Sequence, residues 1–260
     1  MNLDEMSIVV RERSMSEVYD LTVVVIRRHL RDLMILTVLA GAPLAAVNWW
    51  LLHEIPAESG GAWYPLLALL AIETPFFSAV ITAYLGQAMF SHHPSKRAAL
   101  RQAGSRVLSL IAVSVVRLLL MPLLVTWLFM PVQWVEVLVL ERMKGTAAMK
   151  RANNLANFYR AENIMHTLLS GIGGVVLLIL LVLGAREMVN LLQIGMSVEV
   201  DYIELLNPAS LWVLALIWPV VMACTAQRFC AYLDLRTKRE GWAVELEVRR
   251  AGARIRTGGL

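Results

Sequence analysis

Three ionisable side chains, Glu73, Arg117 and Glu136, lie inside long apolar stretches of the sequence. A charge at the middle of a membrane costs about 2.5–3.5 kcal/mol, so each group should face other helices or reach the interface. Counted from the ends of their spans, Glu73 and Arg117 differ in depth by about 6–8 Å, which an arginine side chain can bridge. The sequence therefore allows a Glu73–Arg117 pair. The interpretation we favour is structural, either a buried pair or two side chains that reach the interface separately, and the alternative is a substrate or proton site. Glu136 lies near a helix end, and its carboxylate is expected to reach the interface.

Residue types used in catalysis and metal binding are present without the spacing that those functions need. His92 and His93 are adjacent, with no nearby cysteine or carboxylate, so no metal site is expected there. Cys224 and Cys230 are six residues apart and do not share a helix face, so neither a disulfide nor a metal site is implied. The sequence contains no nucleophile-elbow, Walker-type or zinc-protease motif. We expect no enzyme activity and no cofactor.

A second group of charged residues follows the ends of two apolar runs. This candidate cytoplasmic-face motif consists of Glu141, Arg142, Gly145, Asp234, Arg236, Arg239, Glu240 and Gly241. We predict that a helix at 141–160 and the segment 232–247 dock together through these charges and form a platform under the membrane-embedded bundle. In the alternative interpretation they form a solvated basic rim that touches anionic lipid, where each charge contributes about 1 kcal/mol.

The composition identifies the elements that must position these side chains. The chain is 58% hydrophobic and 17% charged, with a mean hydropathy of +0.62, whereas soluble domains have about 45–50% apolar and about 25% charged residues. Apolar runs of about 18 or more residues recur, and each is long enough to cross about 30 Å of hydrocarbon. Because a backbone in lipid must satisfy its own hydrogen bonds, we expect these runs to be helices.

We predict an all-α integral membrane protein built as a six-helix transmembrane bundle. An amphipathic surface helix lies in the cytoplasmic N-terminal segment, 1–32, and a second amphipathic helix lies on the cytoplasmic face between spans four and five. The six-span membrane domain covers 33–230, and a cytoplasmic tail covers 231–260. The spans fall at about 33–52, 65–89, 106–120, 123–140, 163–184 and 209–230.

Two parts of this topology have alternatives. The N-terminal amphipathic helix could instead be an extension of the first span. Residues 106–140 are too long for one span and barely enough for two, so we place a tight hairpin with its apex near Met121 and Pro122. The alternative is one long helix followed by an interfacial segment.

The distribution of Lys and Arg predicts the orientation. Of 24 such residues, 20 fall in 1–32, 91–105, 141–163 and 234–260, which six spans place on one side, whereas the opposite loops contain only Arg186. By the positive-inside rule, both termini are expected in the cytoplasm. The formal charge of +4 then reflects orientation, and because the basic residues are dispersed over separate loops, no nucleic-acid partner is expected.

Two stretches also carry a family resemblance. In the central stretch its residues are Pro122, Pro131, Glu141, Gly145, Ala147, Ala148, Lys150, Arg151 and Asn157, and in the tail they are Tyr232, Leu233, Asp234, Leu235, Arg236, Arg239, Glu240, Gly241 and Trp242. This pattern resembles the bacterial six-span membrane domain associated with glycerophosphodiester phosphodiesterases, and its uncharacterised stand-alone relatives. The resemblance implies the same six-span fold in a bacterial membrane. The hydrolase activity of that family belongs to a separate soluble barrel, whose His-Arg and Glu-x-Asn pairs are not found here, so phosphodiesterase activity is not implied.

These observations predict a multi-pass protein of the bacterial cytoplasmic (inner) membrane. The leading functional hypothesis is a non-catalytic scaffold or subunit of an envelope complex, which sits in the lipid bilayer and recruits a membrane or cytoplasmic protein through its basic cytoplasmic face. The alternative is a transporter or lipid-handling protein with a polar site near Glu73 and Arg117. A water-filled cavity at Glu73 would favour transport, and a solidly packed bundle would favour the scaffold.

Overall fold

The computed structural model describes residues 11–54, 63–91, 94–120, 133–143, 145–196 and 210–241. Within these ranges the chain forms eight α-helices and no β-strand. In chain order they are α1 (Met15–Leu52), α2 (Trp63–Phe90), α3 (Lys96–Gly104), α4 (Val107–Leu120), α5 (Trp134–Leu140), α6 (Gly145–Phe158), α7 (Arg160–Met196) and α8 (Leu211–Glu240). The expected all-α class is confirmed for these residues.

Four of the described helices, α1, α2, α7 and α8, are long and apolar enough to cross a membrane. A fifth candidate is the bent pair of α3 and α4, whose axes differ by 66°. Such helices are compatible with a multi-pass membrane protein. Helix α5 is the part of the predicted fourth span that the structure describes. The proposed hairpin apex at Met121 and Pro122 lies outside the described ranges.

Helix α1 includes both the predicted surface helix and the predicted first span. Ser14 and Glu17 form a capping box at its start, in which each side chain accepts a hydrogen bond from the other residue's backbone N–H. The only non-helical residue inside α1 is His29, with φ −112° and ψ 16°. On the N-terminal side of this break, Val18 and Val25 are buried at helical spacing. The first part of α1 therefore packs against the bundle.

The core is built around α2 and α8. Helix α2 contacts α1, α3, α4, α5 and α8, and α8 also contacts α1, α6 and α7. The largest buried side chains include Tyr84 and Phe77 on α2 and Tyr232 and Phe229 on α8. Helix α7 differs from both, because only 6% of its apolar stretch is buried. It lies at the periphery, where it packs mainly on α8.

Two glycines allow helices of the core to approach closely. A Cβ added to Gly41 would lie 2.7 Å from Cγ of Trp218, and one added to Gly86 would lie 2.5 Å from Cδ2 of Leu140. Trp218 also packs on Phe77, with ring centroids 4.8 Å apart. Small residues at such crossings let helix backbones approach within packing distance in membranes. These contacts fix α1 against α8 and α2 against α5.

Candidate functional site

Arg151 links two carboxylates that come from different parts of the chain. Its Nε donates to Oε2 of Glu141, directly after α5, at 3.0 Å, and its Nη2 donates to Glu240, the last residue of α8. The Tyr232 hydroxyl donates to the other oxygen of Glu141 at 2.9 Å, and Arg236 Nε donates to Glu240 at 3.0 Å. We call these five residues the tail network.

The tail network is partly shielded from solvent. The side chains of Arg151, Glu141 and Glu240 are 29%, 11% and 25% exposed. Burial alone would lower the pKa of the Arg151 guanidinium, but its hydrogen bonds to Glu141 and Glu240 outweigh burial, and the pKa lies above its ordinary value. Charge-assisted hydrogen bonds of this kind are about twice as strong as neutral ones. The tail network therefore holds α5, α6 and the end of α8 together.

A neighbouring set of contacts joins the start of α1 and the start of α7 to the same end of α8. Lys238 pairs with Glu162 at 2.6 Å and with Asp234 at 2.8 Å, and its ammonium lies 5.7 Å from the centre of the Tyr159 ring. Asp234, which is buried, also accepts a hydrogen bond from the backbone N–H of Arg13 at 2.8 Å. Charged contacts thus connect this end of α8 to the start of α1 and to the start of α7.

The remaining residues of the predicted cytoplasmic-face motif lie at chain reversals or on the surface. Gly241 ends α8 in the left-handed conformation, with φ 58°, a common way for a helix to stop. Gly145 begins α6 with φ 49°, and Arg142 has φ 56°, which is unusual for a residue with a side chain. Arg142 and Arg239 are both exposed. Glu141, Arg236 and Glu240 lie in the tail network, whereas Asp234 belongs to the contacts around Lys238.

Glu73 and Arg117, which were predicted as a candidate pair, contact different residues in the structure. Glu73 is 7% exposed and accepts a hydrogen bond from Nδ2 of Asn48 on α1, at 2.8 Å. Arg117 donates to the hydroxyl of Thr74, at 3.3 Å. Because successive helical residues are about 100° apart around the axis, Glu73 and Thr74 face different neighbours of α2. Arg117 therefore reaches the residue next to Glu73.

A buried ion pair that the sequence did not indicate lies between α5 and α8. Glu136 is fully buried, and its Oε1 lies 3.6 Å from Nε of Arg228. Arg228 Nη2 donates to the hydroxyl of Ser78, near the middle of α2, at 2.8 Å. The charges of Glu136 and Arg228 also act on Arg117. Glu136, Arg228, Ser78 and Arg117 are referred to below as the intramembrane cluster.

The expectation that Glu136 reaches the interface is wrong. Helix α5 contacts α2, α4 and α6, so its first turn is enclosed by protein although it is close to a helix end. In the described part of the chain, neither carboxylate oxygen of Glu136 accepts a hydrogen bond, and Nε of Arg228 has no acceptor. Buried ion pairs normally depend on additional hydrogen bonds to offset desolvation. The intramembrane cluster is therefore held by charge attraction and by the Ser78 hydroxyl.

Arg151 and Arg228 were not predicted as site residues, although Arg151 belongs to the stretch that carries the family resemblance, and their signals in the sequence are weak. Arg151 follows Glu141 by ten residues, and this spacing does not indicate that the two side chains form an ion pair. Arg228 is one of few basic residues close to an apolar run, yet its partners lie 92 and 150 positions away in sequence. Only the packing of the helices brings these groups together.

The described residues contain no cluster of three or more His, Cys, Asp or Glu that could hold a metal ion. Cys224 and Cys230 are both free thiols. The pair His92 and His93 lies outside the described ranges.

Comparison of the chain with models of known protein families, with curated proteins and with solved structures finds no match.

Proposed function

We propose that this protein is a non-catalytic integral membrane scaffold or subunit of a bacterial envelope complex, which recruits a partner protein through its basic cytoplasmic face. The observation that carries this proposal is the tail network, in which Arg151 joins Glu141 to Glu240. A binding surface gains affinity when its parts are already ordered before the partner arrives. The tail network orders the surface formed by α6 and the end of α8.

Helix α6 packs on the bundle with one face and leaves its other faces exposed, as a surface that binds a partner protein must. Ala148, Ala152 and Leu155 are fully buried at spacings of four and three residues, so one face of α6 packs on the bundle. Met149, Lys150 and Asn153 are exposed on other faces. This exposed face has a methionine beside a cation and polar amides. It suits a protein partner, because methionine contacts are typical of interface centres and polar groups of interface rims.

The topology in this proposal has six spans, a surface helix at each predicted position, and both termini in the cytoplasm. It is supported by the four helices that are long and apolar enough to span a membrane, by the bent pair α3–α4 as a candidate fifth span, and by α5 as the end of a proposed sixth. The clustering of 20 of the 24 Lys and Arg residues on one proposed side supports the orientation. Membership of the phosphodiesterase-associated membrane-domain family, and hence a bacterial cytoplasmic membrane, is part of the same proposal and rests on the residue pattern alone.

The test is capture of partners from native membranes in nanodiscs, with one variant on the proposed surface and one control. We expect wild type and Arg97→Glu, which changes an exposed cation on α3, to retain the same stoichiometric protein. Lys150→Glu, which changes an exposed cation on α6, should lose it. Equal retention by both variants, or no stoichiometric protein with wild type, would contradict recruitment through this face.

A transporter or lipid-handling protein is the second candidate, and the intramembrane cluster favours it. A buried carboxylate and two arginines are costly in a membrane and commonly mark ion or proton pathways. A small apolar groove between α1, α2 and α8 is lined by other side chains and does not include Glu73. The test uses proteoliposomes with a trapped pH dye. If the protein is a transporter, the wild type should move protons across the membrane and Glu136→Gln should abolish this movement. If it is a scaffold, neither the wild type nor the variant should move protons.

A further inference from the structure

The intramembrane cluster contains more cations than carboxylates. Arg117 and Arg228 are both positively charged, and Glu136 is the acid whose charge acts on Arg117. Glu73, the nearest acid on α2, accepts a hydrogen bond from Asn48 and is not among the groups whose charge acts on Arg117. Two cations and one carboxylate leave an excess of one positive charge among the described residues, and protonation of Glu136 would only increase it.

This excess charge is poorly screened by solvent. The Glu136 side chain has no exposed surface and that of Arg228 is 15% exposed. Arginine does not release its proton in proteins, so the cluster cannot lose the charge by titration of Arg117 or Arg228. Charges inside proteins are normally paired, and those inside membranes commonly mark ion sites. An anion from outside the described residues would balance the cluster.

Both arginines have N–H groups that the cluster does not use. Nε of Arg228 lies near Glu136, and its Nη2 donates to the hydroxyl of Ser78. Arg117 donates from Nη1 to Thr74, whose own hydroxyl proton can be donated in turn. Among the described residues, Nη1 of Arg228 and Nη2 of Arg117 have no hydrogen-bond acceptor. Because Arg117 is partly exposed, a small ion can reach its guanidinium.

We propose that the intramembrane cluster binds a small monovalent anion at the Arg117 guanidinium, with the charge of Arg228 adding to the attraction. A monovalent anion balances one excess charge, whereas a divalent anion would reverse its sign. A lipid phosphate could supply the same charge, but Thr74 and Ser78 lie near the middle of α2, away from the headgroups. The site therefore favours a free ion.

This anion site goes beyond the proposed scaffold function and does not depend on it. The cluster contains no residue of α6 or of the tail network. It requires binding alone, without movement of an ion across the membrane. The measurements below need neither a partner protein nor an ion gradient, so their results are separate from the tests of both candidate functions.

The first test measures thermal unfolding of the purified full-length chain in detergent, with sodium chloride or sodium gluconate at equal ionic strength. Gluconate has the same charge as chloride and is much larger. We expect chloride to raise the melting temperature of wild type by about 2–5 °C relative to gluconate, because a ligand that binds the folded state stabilises it. Arg117→Met removes the excess charge but keeps a long side chain, and should melt equally in both salts.

Two further variants separate the charge of Arg117 from its packing. Arg117→Lys restores the charge and should respond to chloride as wild type does. Arg97→Met is the matched control, because it removes an exposed cation on α3, and its response should also equal that of wild type.

The second test measures bound chloride directly, by equilibrium dialysis with radioactive chloride. We expect wild type to bind chloride at a single site and Arg117→Met to bind none. Glu136→Gln removes the negative charge beside the arginines and should bind chloride about tenfold more tightly, whereas damage to the fold would weaken binding. Added phosphatidylglycerol should not displace the ion.

Four results would overturn the proposal. They are equal melting of wild type in the two salts, an unchanged chloride response in Arg117→Met, weaker chloride binding by Glu136→Gln, and displacement of chloride by phosphatidylglycerol.

Discussion

At the scale of single residues, Arg151 illustrates how a partly shielded cation connects two helices. It pairs with Glu141 and Glu240, which are 99 positions apart in the chain. We predict that Arg151→Ala lowers the free energy of unfolding by about 1–3 kcal/mol, because two carboxylates lose a charged donor. Lys150→Ala, an exposed neighbour, should stay within about 0.5 kcal/mol of wild type. Thermal unfolding in detergent measures both.

A double-mutant cycle distinguishes the tail network from independent surface charges. If Arg151 and Glu240 act together, Arg151→Ala combined with Glu240→Ala should cost less than the sum of the two single changes. The expected difference is about 0.5 kcal/mol or more, since the groups touch and share Arg236 and Glu141 as neighbours. Strictly additive losses would mean that these charges form a solvated rim.

Glu136 and Arg228 allow a similar experiment inside the bundle. Removing one partner leaves the other charge buried, so Glu136→Leu alone should destabilise by about 3–5 kcal/mol. The double variant Glu136→Leu with Arg228→Met removes both charges and should be more stable than Glu136→Leu. Unfolding in mixed detergent and denaturant provides the comparison. A double variant less stable than either single variant would indicate that the pair is not the main partner of these charges.

Single residues also show which properties of a buried charge the sequence can predict and which it cannot. Position along a predicted span gives an expected depth in the membrane, so the sequence alone predicts the relative depths of Glu73 and Arg117. It does not give the direction in which a side chain points within the bundle. That direction depends on which helices are neighbours, and it separates Glu73, which contacts Asn48, from Arg117, which contacts Thr74.

At the scale of helices, glycine positions determine how closely the elements pack. Gly41 lies against the Trp218 ring, whereas a Cβ at Gly173 on α7 would meet nothing within 4 Å. We predict that Gly41→Ala costs about 1–3 kcal/mol, because overpacking displaces a large buried ring. Gly173→Ala should be neutral or slightly stabilising, since alanine favours helix over glycine. The melting temperatures of the two variants in one detergent should therefore shift differently.

Hydropathy predicted where most helices lie but not how they join. A surface helix within 1–32 and a separate span at 33–52 were predicted, yet α1 runs from Met15 to Leu52 and its helical conformation is interrupted inside that range only at His29. The bend between α3 and α4 falls at Ser105 and Arg106, where no proline marks it. Breaks of this kind arise from tertiary packing, which cannot be predicted from the spacing of apolar residues.

At the scale of the whole molecule, the proposed orientation predicts which ends are reachable from each side. With Cys224 and Cys230 replaced by serine, a cysteine at exposed His53 should react with a membrane-impermeant maleimide in intact spheroplasts. A cysteine at exposed Arg239 should react only after permeabilisation. This expectation rests on the positive-inside rule, by which Arg239 is predicted to lie in the cytoplasm. Labelling of both sites before permeabilisation, or of Arg239 alone, would contradict six spans with cytoplasmic termini.

The peripheral position of α7 has a consequence for how the protein meets its bilayer. At 1.5 Å per residue, its 37 residues extend about 55 Å, well beyond the hydrocarbon thickness of about 30 Å. Such a helix must tilt or emerge from the lipid, and packing against neighbours normally sets the tilt. Among the described residues, α7 packs mainly along α8, where Gly174 adjoins Cys224. We therefore expect bilayer thickness to influence its tilt, so that thinner or thicker membranes change the angle of this one helix while the α2–α8 core stays fixed.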